Sequence, residues 1–329
     1  MNTAAVILNY NDTEGTVDAV KRINGFFCFD EIIVVDNASP DGSAERLESA
    51  FSGMDKVWLV KAEKNGGYGC GNNLGIRYAA EHFGAELALI ANPDAIFDET
   101  LIKDMAAVFS ANADTGAVGA VMKPRQEAGV HTRAAGRAAD ISCEEYILSG
   151  WKRRGPLSTI AAGAPLLRRL MKGMLNYPDS YYEGSDDPAE AAEAAKSTAG
   201  ATGSVCAGGA VRVYAVHGSL LMVSVERFLK CKGYDENIFL YGEENVLAEK
   251  FLKAGFSTLL LKETYEHEGS KSITGSGLGA VKRQKLRGRS ELYFIKNYLN
   301  AGKLSMAAAR ILQAAVLFET RLAVMLHLI

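Results

Sequence analysis

The 329-residue chain has almost no excess of either charge: 36 lysines and arginines stand against 39 aspartates and glutamates, a net charge of -3. A protein that binds nucleic acid along a broad face carries a clear basic surplus, so the balance argues against that class. A small anionic ligand needs only a local cluster of cations and stays open. Cysteine is scarce: Cys28, Cys70, Cys143, Cys206 and Cys231 are odd in number and form no C-x-x-C pair. Neither a disulfide framework nor a zinc site is indicated, and a reducing cytoplasm fits. The opening residues, MNTAAVILNYND, lack a basic leader and read as a first strand, not as a signal peptide. No G-x-G-x-x-G follows that strand and no G-x-x-x-x-G-K-[ST] occurs, so two common phosphate-binding turns are missing. There is no internal repeat.

What is present is a core of ordinary size, with 48% hydrophobic residues, enough for one large domain or two smaller ones. Apolar runs at 4–9, 31–36, 56–61, 86–91 and 116–121 alternate with amphipathic segments at 13–23, 44–51, 72–83 and 99–110. Strands spaced by helices predict right-handed crossovers and an α/β fold with a mainly parallel sheet. The strands are apolar throughout, as expected when helices cover both faces. Ligands of such sheets sit beyond the carboxyl ends of the strands. Those ends read Asn9-Tyr10-Asn11, Asp36-Asn37 and Asn92-Pro93-Asp94. Each is open to a second reading as a cap for the next helix, but three polar ends together favour a crevice for a polar ligand.

The pattern breaks from about 124 to 210, where basic pieces WKRRGPL (151–157) and LLRRLMK (166–172) and an acidic, alanine-rich piece (183–196) stand. Variable loops and short helices that contact a partner or acceptor are expected there. Regularity returns with VRVYAVHGSLLMVS (211–224), read as a strand pair or one long strand, and with a helix over 244–253 ending at Gly255. The glycine-rich NGGYGCGNN (65–73) follows the third strand, and its glycines allow a backbone to approach a ligand closely.

Four blocks in order, VILNYND, EIIVVDNASPDGSAERL, NGGYGCGNNLGIRYA and LIANPDAIFDETLI, resemble the nucleotide-sugar-binding half of family 2 glycosyltransferases with the GT-A fold. KGYDENIFLYGEENVLAEKFLKAGF and YEHEGSKSI are similar to the acceptor-side half of that family. The resemblance covers 1–122 and 211–300. It implies a Rossmann-like sheet flanked by helices, a donor half (1–122), a variable insertion (123–210), an acceptor and catalytic half (211–300) and a C-terminal helical extension (301–329). It further implies inverting, metal-dependent sugar transfer in surface or extracellular polysaccharide synthesis. The donor would be a UDP, GDP or dTDP sugar, and the acceptor a saccharide or a lipid-linked saccharide. Asp94 matches the family's last metal-binding carboxylate, for Mg²⁺ or Mn²⁺. A hard dication needs few protein carboxylates when phosphate oxygens and water fill its other positions. Asn92 stands where an Asp is usual. Asp36 matches the carboxylate toward the nucleoside, Asn9 and Tyr10 the base pocket, and Asn65, Gly66 and Asn92 the rest of the donor site.

Tyr241-Gly242-Glu243-Glu244 aligns with the family's Tyr-x-Glu-Asp pattern, which makes Glu244 the catalytic base. Acids at a helix start are also favoured by the dipole alone. Val246 replaces a further Asp, and Ser290 replaces the Asn that follows the family arginine matched by Arg289. His267 has two readings, a metal or diphosphate contact or a hydrogen bonder at an element's end. Lys271 and the run 282–289 either embrace a diphosphate or form a solvated basic face. His217, Gly218 and Ser219 fall at the start of the acceptor-side loop.

The last segment, 304–329, would measure about 39 Å as one helix. Arg310, Glu319 and Arg321 interrupt it, the two arginines about 20° apart at helical spacing, while Ile311, Phe318, Leu322 and Met325 share another face. A helix on a membrane surface, a homodimer contact or a core helix all satisfy that pattern. Two rival functions stand beside glycosyl transfer: a catalytically silent binding subunit, and a sugar nucleotidyltransferase, whose glycine-rich, basic triphosphate loop NYNDTEG does not supply.

Overall fold

The computed structural model describes residues 1–124, 149–177, 209–267 and 279–326. Lys271 and the acidic piece 183–196 lie outside them. The first third alternates β1 (Thr3–Asn9), α1 (Thr13–Ile23), β2 (Glu31–Asp36), α2 (Ser43–Ala50), β3 (Val57–Lys61), α3 (Tyr68–Phe83), β4 (Leu87–Ala91), β5 (Ala95–Ile96), α4 (Glu99–Ala111) and β6 (Thr115–Pro124). There follow β7 (Gly150–Trp151), α5 (Pro156–Ala162), α6 (Leu167–Leu170), α7 (Lys172–Leu175), β8 (Val211–Val213), β9 (Ala215–Val216), β10 (Leu220–Ser224) and α8 (Val225–Lys230). The chain closes with α9 (Glu243–Lys253), β11 (Ser257–His267), α10 (Ala280–Asn297) and α11 (Lys303–Met325).

A nine-stranded sheet runs in the order β3-β2-β1-β4-β10-β6-β11-β5, with β8 on β11. Strands β1 to β4 are mutually parallel, as are β6 and β11. The expected strand over 211–224 instead divides into three short ones, and β10 enters antiparallel between β4 and β6. That insertion welds the second half of the chain into the middle of the sheet built by the first. Alternate residues face opposite layers: Ala5, Ile7, Ile32 and Val34 pack under α1, α2 and α4, whereas Ala4, Val6, Ile33 and Val35 pack under α3, α8 and α9. Both faces being covered is why the strands carry no polar alternation.

The helix expected over 72–83 begins four residues earlier, at Tyr68. Gly67 makes this start: its φ is +90°, and a Cβ there would fall 2.1 Å from the Phe239 carbonyl oxygen. The glycines that follow permit close packing. A Cβ at Gly69 would meet Tyr234 at 2.8 Å, and one at Gly71 would meet Leu8 at 2.3 Å. The small residues let α3 press against β1 and against the loop 234–242.

A second helical layer forms where α5, from the stretch expected to hold variable loops and short helices, meets α10 and α11. Ile160 and Ala164 join Ile295 of α10 and Ala309 and Val316 of α11 in one apolar cluster. The basic piece 151–157 is held down and does not extend as a free contact surface. Trp151 Nε1 donates to Asn245 Oδ1 at 2.8 Å, and Arg153 forms a two-pronged ion pair with buried Glu249 at 2.8 and 2.9 Å. Among the described residues no helix is long and apolar enough to cross a membrane.

Candidate active site

The carboxyl ends of β1, β2 and β4 lie side by side, because β1 pairs with both of the others. Asp36 closes β2 and is buried. Its Oδ1 accepts from Asn9 Nδ2 at 2.7 Å and its Oδ2 from the Ser39 amide at 3.1 Å. Asn9 is itself fully buried, and its Oδ1 accepts from the Thr16 hydroxyl at 3.0 Å. The Asn9 side chain fixes Asp36 and the turn to α1. Tyr10, the next residue, is half-buried. Across the gap Asn65 Oδ1 accepts from Asn37 Nδ2 and from the Gly67 amide, both at 3.0 Å, which sets the glycine-rich turn against the end of β2. Gly66 beside it packs on Cys70, whose Sγ would be 2.5 Å from an added Cβ. Among the described residues the buried Asn37 Oδ1 has no hydrogen-bond partner.

At the end of β4 an acid meets two histidines. Asp94 Oδ1 lies 3.2 Å from His267 Nε2, the last residue of β11, and Asn92 Nδ2 lies 3.4 Å from the same nitrogen. The His217 ring stands T-shaped to His267 with centroids 5.8 Å apart. His217 Nδ1 accepts from the Ser219 amide at 3.2 Å, which assigns its proton to Nε2. Burial, then the neighbouring His267, push the His217 imidazole down to about 4, so it is neutral at physiological pH. Ser219 Oγ and the buried Tyr265 hydroxyl are 2.5 Å apart and complete this cluster.

The acid pair Glu243-Glu244 enters from the other side. Tyr241 and Gly242 both take positive φ, 73° and 88°, and this costly turn for a tyrosine delivers the N-terminus of α9 to the cleft. Adjacent helical residues point about 100° apart. Glu243 goes inward beneath Gly69 and is buried, with Oε1 unpartnered. Burial first, then the Glu244 charge, raise its carboxyl to about 8. Glu244 lies against the 217–219 loop, its Oε1 2.8 Å from where a Gly218 Cβ would stand. Burial raises Glu244 as well, and bonds from its own and the Gly218 amides together with the Arg287 charge pull it back down. Tyr265 feels both acids: burial raises its hydroxyl most, the Ser219 bond opposes this, and Asp94 and Glu244 each raise it further.

Asp94 and Glu244 therefore flank one cluster formed by Tyr265 and the 217–219 loop. Two bonds tie that loop to the first third of the chain: the Asn92 amide donates to Ser219 O at 2.9 Å, and the Tyr68 hydroxyl to Gly218 O at 2.7 Å. Tyr68 was not singled out from the sequence, and Arg287 was only one member of the basic run 282–289. Arg287 stacks over the Tyr241 ring at 4.9 Å. Arg289 lies about 200° further round α10 and is exposed, so the structure brings Arg287 and not Arg289 to the acid pair.

Among the described residues no group of three or more His, Cys, Asp or Glu could hold a metal ion. Asp94 and His267 form a two-donor set, one oxygen and one imidazole nitrogen, partly open to the cleft. This mixture suits Mn²⁺ better than all-oxygen Mg²⁺, provided that ligand oxygens and water complete the shell.

Comparisons with known proteins agree with this geometry. The family model described as glycosyl transferase family 2 matches residues 5–168. Over 100 residues the chain is 32% identical to the low-salt glycan biosynthesis hexosyltransferase Agl10 of Haloferax volcanii, a stretch covering 30% of each chain. In structure it is similar to the mannosyltransferase PcManGT from Pyrobaculum calidifontis in complex with GDP-Man and Mn²⁺, with a TM-score of 0.54 at 14% identity, covering 98% of this chain and 73% of that one. It is also similar to GalNAc-T7 with UDP, GalNAc and Mn²⁺, with a TM-score of 0.52 at 13% identity, covering 81% of this chain and 44% of that one. The chain thus matches under a third of Agl10 and less than half of GalNAc-T7. The structural likenesses establish the fold, GT-A, with its central sheet between helical layers.

Proposed function

The chain belongs to glycosyltransferase family 2, and from that premise we propose that it transfers a hexosyl or deoxyhexosyl group from a nucleoside-diphosphate sugar to a hydroxyl of a glycan or lipid-linked saccharide, with inversion. The observation that carries this reading is the placement of Asp94 and Glu244 on either side of one cluster, joined through the Asn92–Ser219 bond. Inversion needs a proton acceptor on the face of the sugar opposite the leaving group. Glu244 is the acceptor-side carboxylate, and Glu243, turned inward, supports it. Asp36 receives hydrogen bonds from the nucleoside, held in place by Asn9. A dication at Asp94 and His267 would supply charge neutralisation at the departing diphosphate. The His217 Nε2–H and Arg287 add a donor and positive charge around the reacting groups, while the Tyr68 hydroxyl, donating to Gly218 O, positions the 217–219 loop. The relatives support the substrate class: PcManGT is described with GDP-Man, GalNAc-T7 with UDP, and Agl10 as a glycan biosynthesis hexosyltransferase.

The test is a panel of UDP, GDP and dTDP sugars with Mn²⁺, first by thermal shift and then by product analysis with saccharide acceptors. A donor that raises the melting temperature and yields a glycosidic product of inverted configuration is the expected outcome. Pyrophosphate release would assign a nucleotidyltransferase instead, and neither binding nor turnover a silent binding subunit.

The base also sets a pH dependence. Glu244 must be ionised to accept a proton, and burial holds its carboxyl above the ordinary carboxylate range, so kcat/KM rises with pH along an acid limb. Arg287 lowers that carboxyl, so Arg287→Gln is expected to move the limb to higher pH. A full pH–rate profile of the two proteins checks this, and a limb that stays in place removes Arg287 from the electrostatics of the base.

A further inference from the structure

The helix α11 has two apolar faces and needs only one for the fold. Ala309 and Val316 are buried against α5 and α10, and Thr320 and Ala323 are buried on the same side of the helix. About 180° round the helix a second stripe faces outward: Leu304 (89% exposed), Ile311 (73%), Phe318 (66%), Leu322 (40%) and Met325 (66%). Side chains of this size are costly to leave in water along a whole helix, and a contiguous stripe marks a contact surface. Its two edges differ. On one, Glu319 is bound by the Leu166 and Leu167 amides, which fixes the start of α6 there. On the other, Lys303, Arg310 and Arg321, all exposed, fall within about 20° of one another and form a row of cations beside the stripe.

We propose that this face of α11 docks on an anionic lipid surface, the stripe entering the acyl boundary and the cationic row meeting the headgroups. The pairing of an outward apolar stripe with charges of a single sign is what an interfacial helix requires. A second copy of the chain fits less well. Glu319 is the only acid in α11, and it is engaged by the α6 backbone, so an isologous contact through this face sets cations near cations with no acid of the helix to meet them. The docked helix also packs on α10, which carries Arg287 to the acid pair, so a lipid surface at α11 lies one helical layer from the cleft.

The experiment is flotation of the full chain with phosphatidylcholine vesicles and with vesicles of phosphatidylcholine mixed with phosphatidylglycerol. No donor or acceptor is involved, so its outcome is separate from that of the transfer reading. Binding to the mixed vesicles is expected to be stronger by on the order of tenfold or more and to weaken with added salt. Phe318→Glu should abolish flotation, and Arg310→Glu with Arg321→Glu should remove the preference for the mixed vesicles, both with unchanged melting because these side chains are exposed. Failure of the unaltered chain to float with mixed vesicles overturns the proposal, as does undiminished flotation of Phe318→Glu. If sedimentation instead shows a dimer that Phe318→Glu splits, the face belongs to a second copy and the lipid assignment falls.

Discussion

Asp94→Asn is expected to lower kcat/KM by about a thousandfold or more while leaving the melting temperature nearly unchanged. The acid stands just beyond β4, where Asn92 and Pro93 bring no charge, so under the proposed function it would supply the negative ligand of the two-donor set with His267. Charge stabilisation at a leaving diphosphate contributes several kcal/mol, and each step of about 1.4 kcal/mol is tenfold in rate. The amide keeps the volume of the carboxylate and one acceptor oxygen, so β4 and its neighbours stay packed. Initial rates with the donor identified by the panel, together with thermal melting, decide the matter. Near-normal turnover in a folded Asp94→Asn protein would remove the metal and diphosphate assignment.

Glu244→Gln should retain donor affinity and lose turnover by roughly a hundredfold to ten-thousandfold, the range for removing a general base. The glutamine still accepts from the Gly218 amide, so the 217–219 loop keeps its position, but it takes no proton from the acceptor hydroxyl. Glu243→Gln is the control. That side chain is turned beneath α3, and its carboxyl, raised to about 8, is largely protonated at neutral pH, so a neutral amide mimics its working state and costs far less. Calorimetric titration of donor and single-turnover rates separate binding from chemistry. Equal losses in the two variants would deny Glu244 its special role.

The alternation of β1 to β4 with α1 to α4 was legible because period and caps are local signals: Asp12 and Asp98 accept from amides of the first turns of α1 and α4, as their sequence positions suggest. The places of Asp36 at the end of β2, Asp94 just beyond β4 and Glu244 at the start of α9 were legible from the period of the flanking segments. Three things were not. The antiparallel entry of β10 depends on pairing between residues more than 100 positions apart, and no periodicity encodes it. Glycines 67, 69 and 71 look alike whether they approach a ligand or a side chain of the same protein, and only the positions of Leu8, Tyr234 and Phe239 distinguish the two. Arg287 and Arg289 are equal in a string but lie on opposite faces of α10, a matter of helical phase against Tyr241.

One hydrogen bond between the Asn92 amide and the Ser219 carbonyl carries a consequence for selectivity. Asp94 follows β4 and the 217–219 loop, on which Glu244 of α9 rests, leads into the neighbouring β10, so under the proposed function backbone pairing in one sheet holds that loop at a fixed distance from the acid. A bulkier sugar must then be accommodated by trimming side chains at the rim. Engineering a new donor preference should begin with those contacts and leave the strands alone.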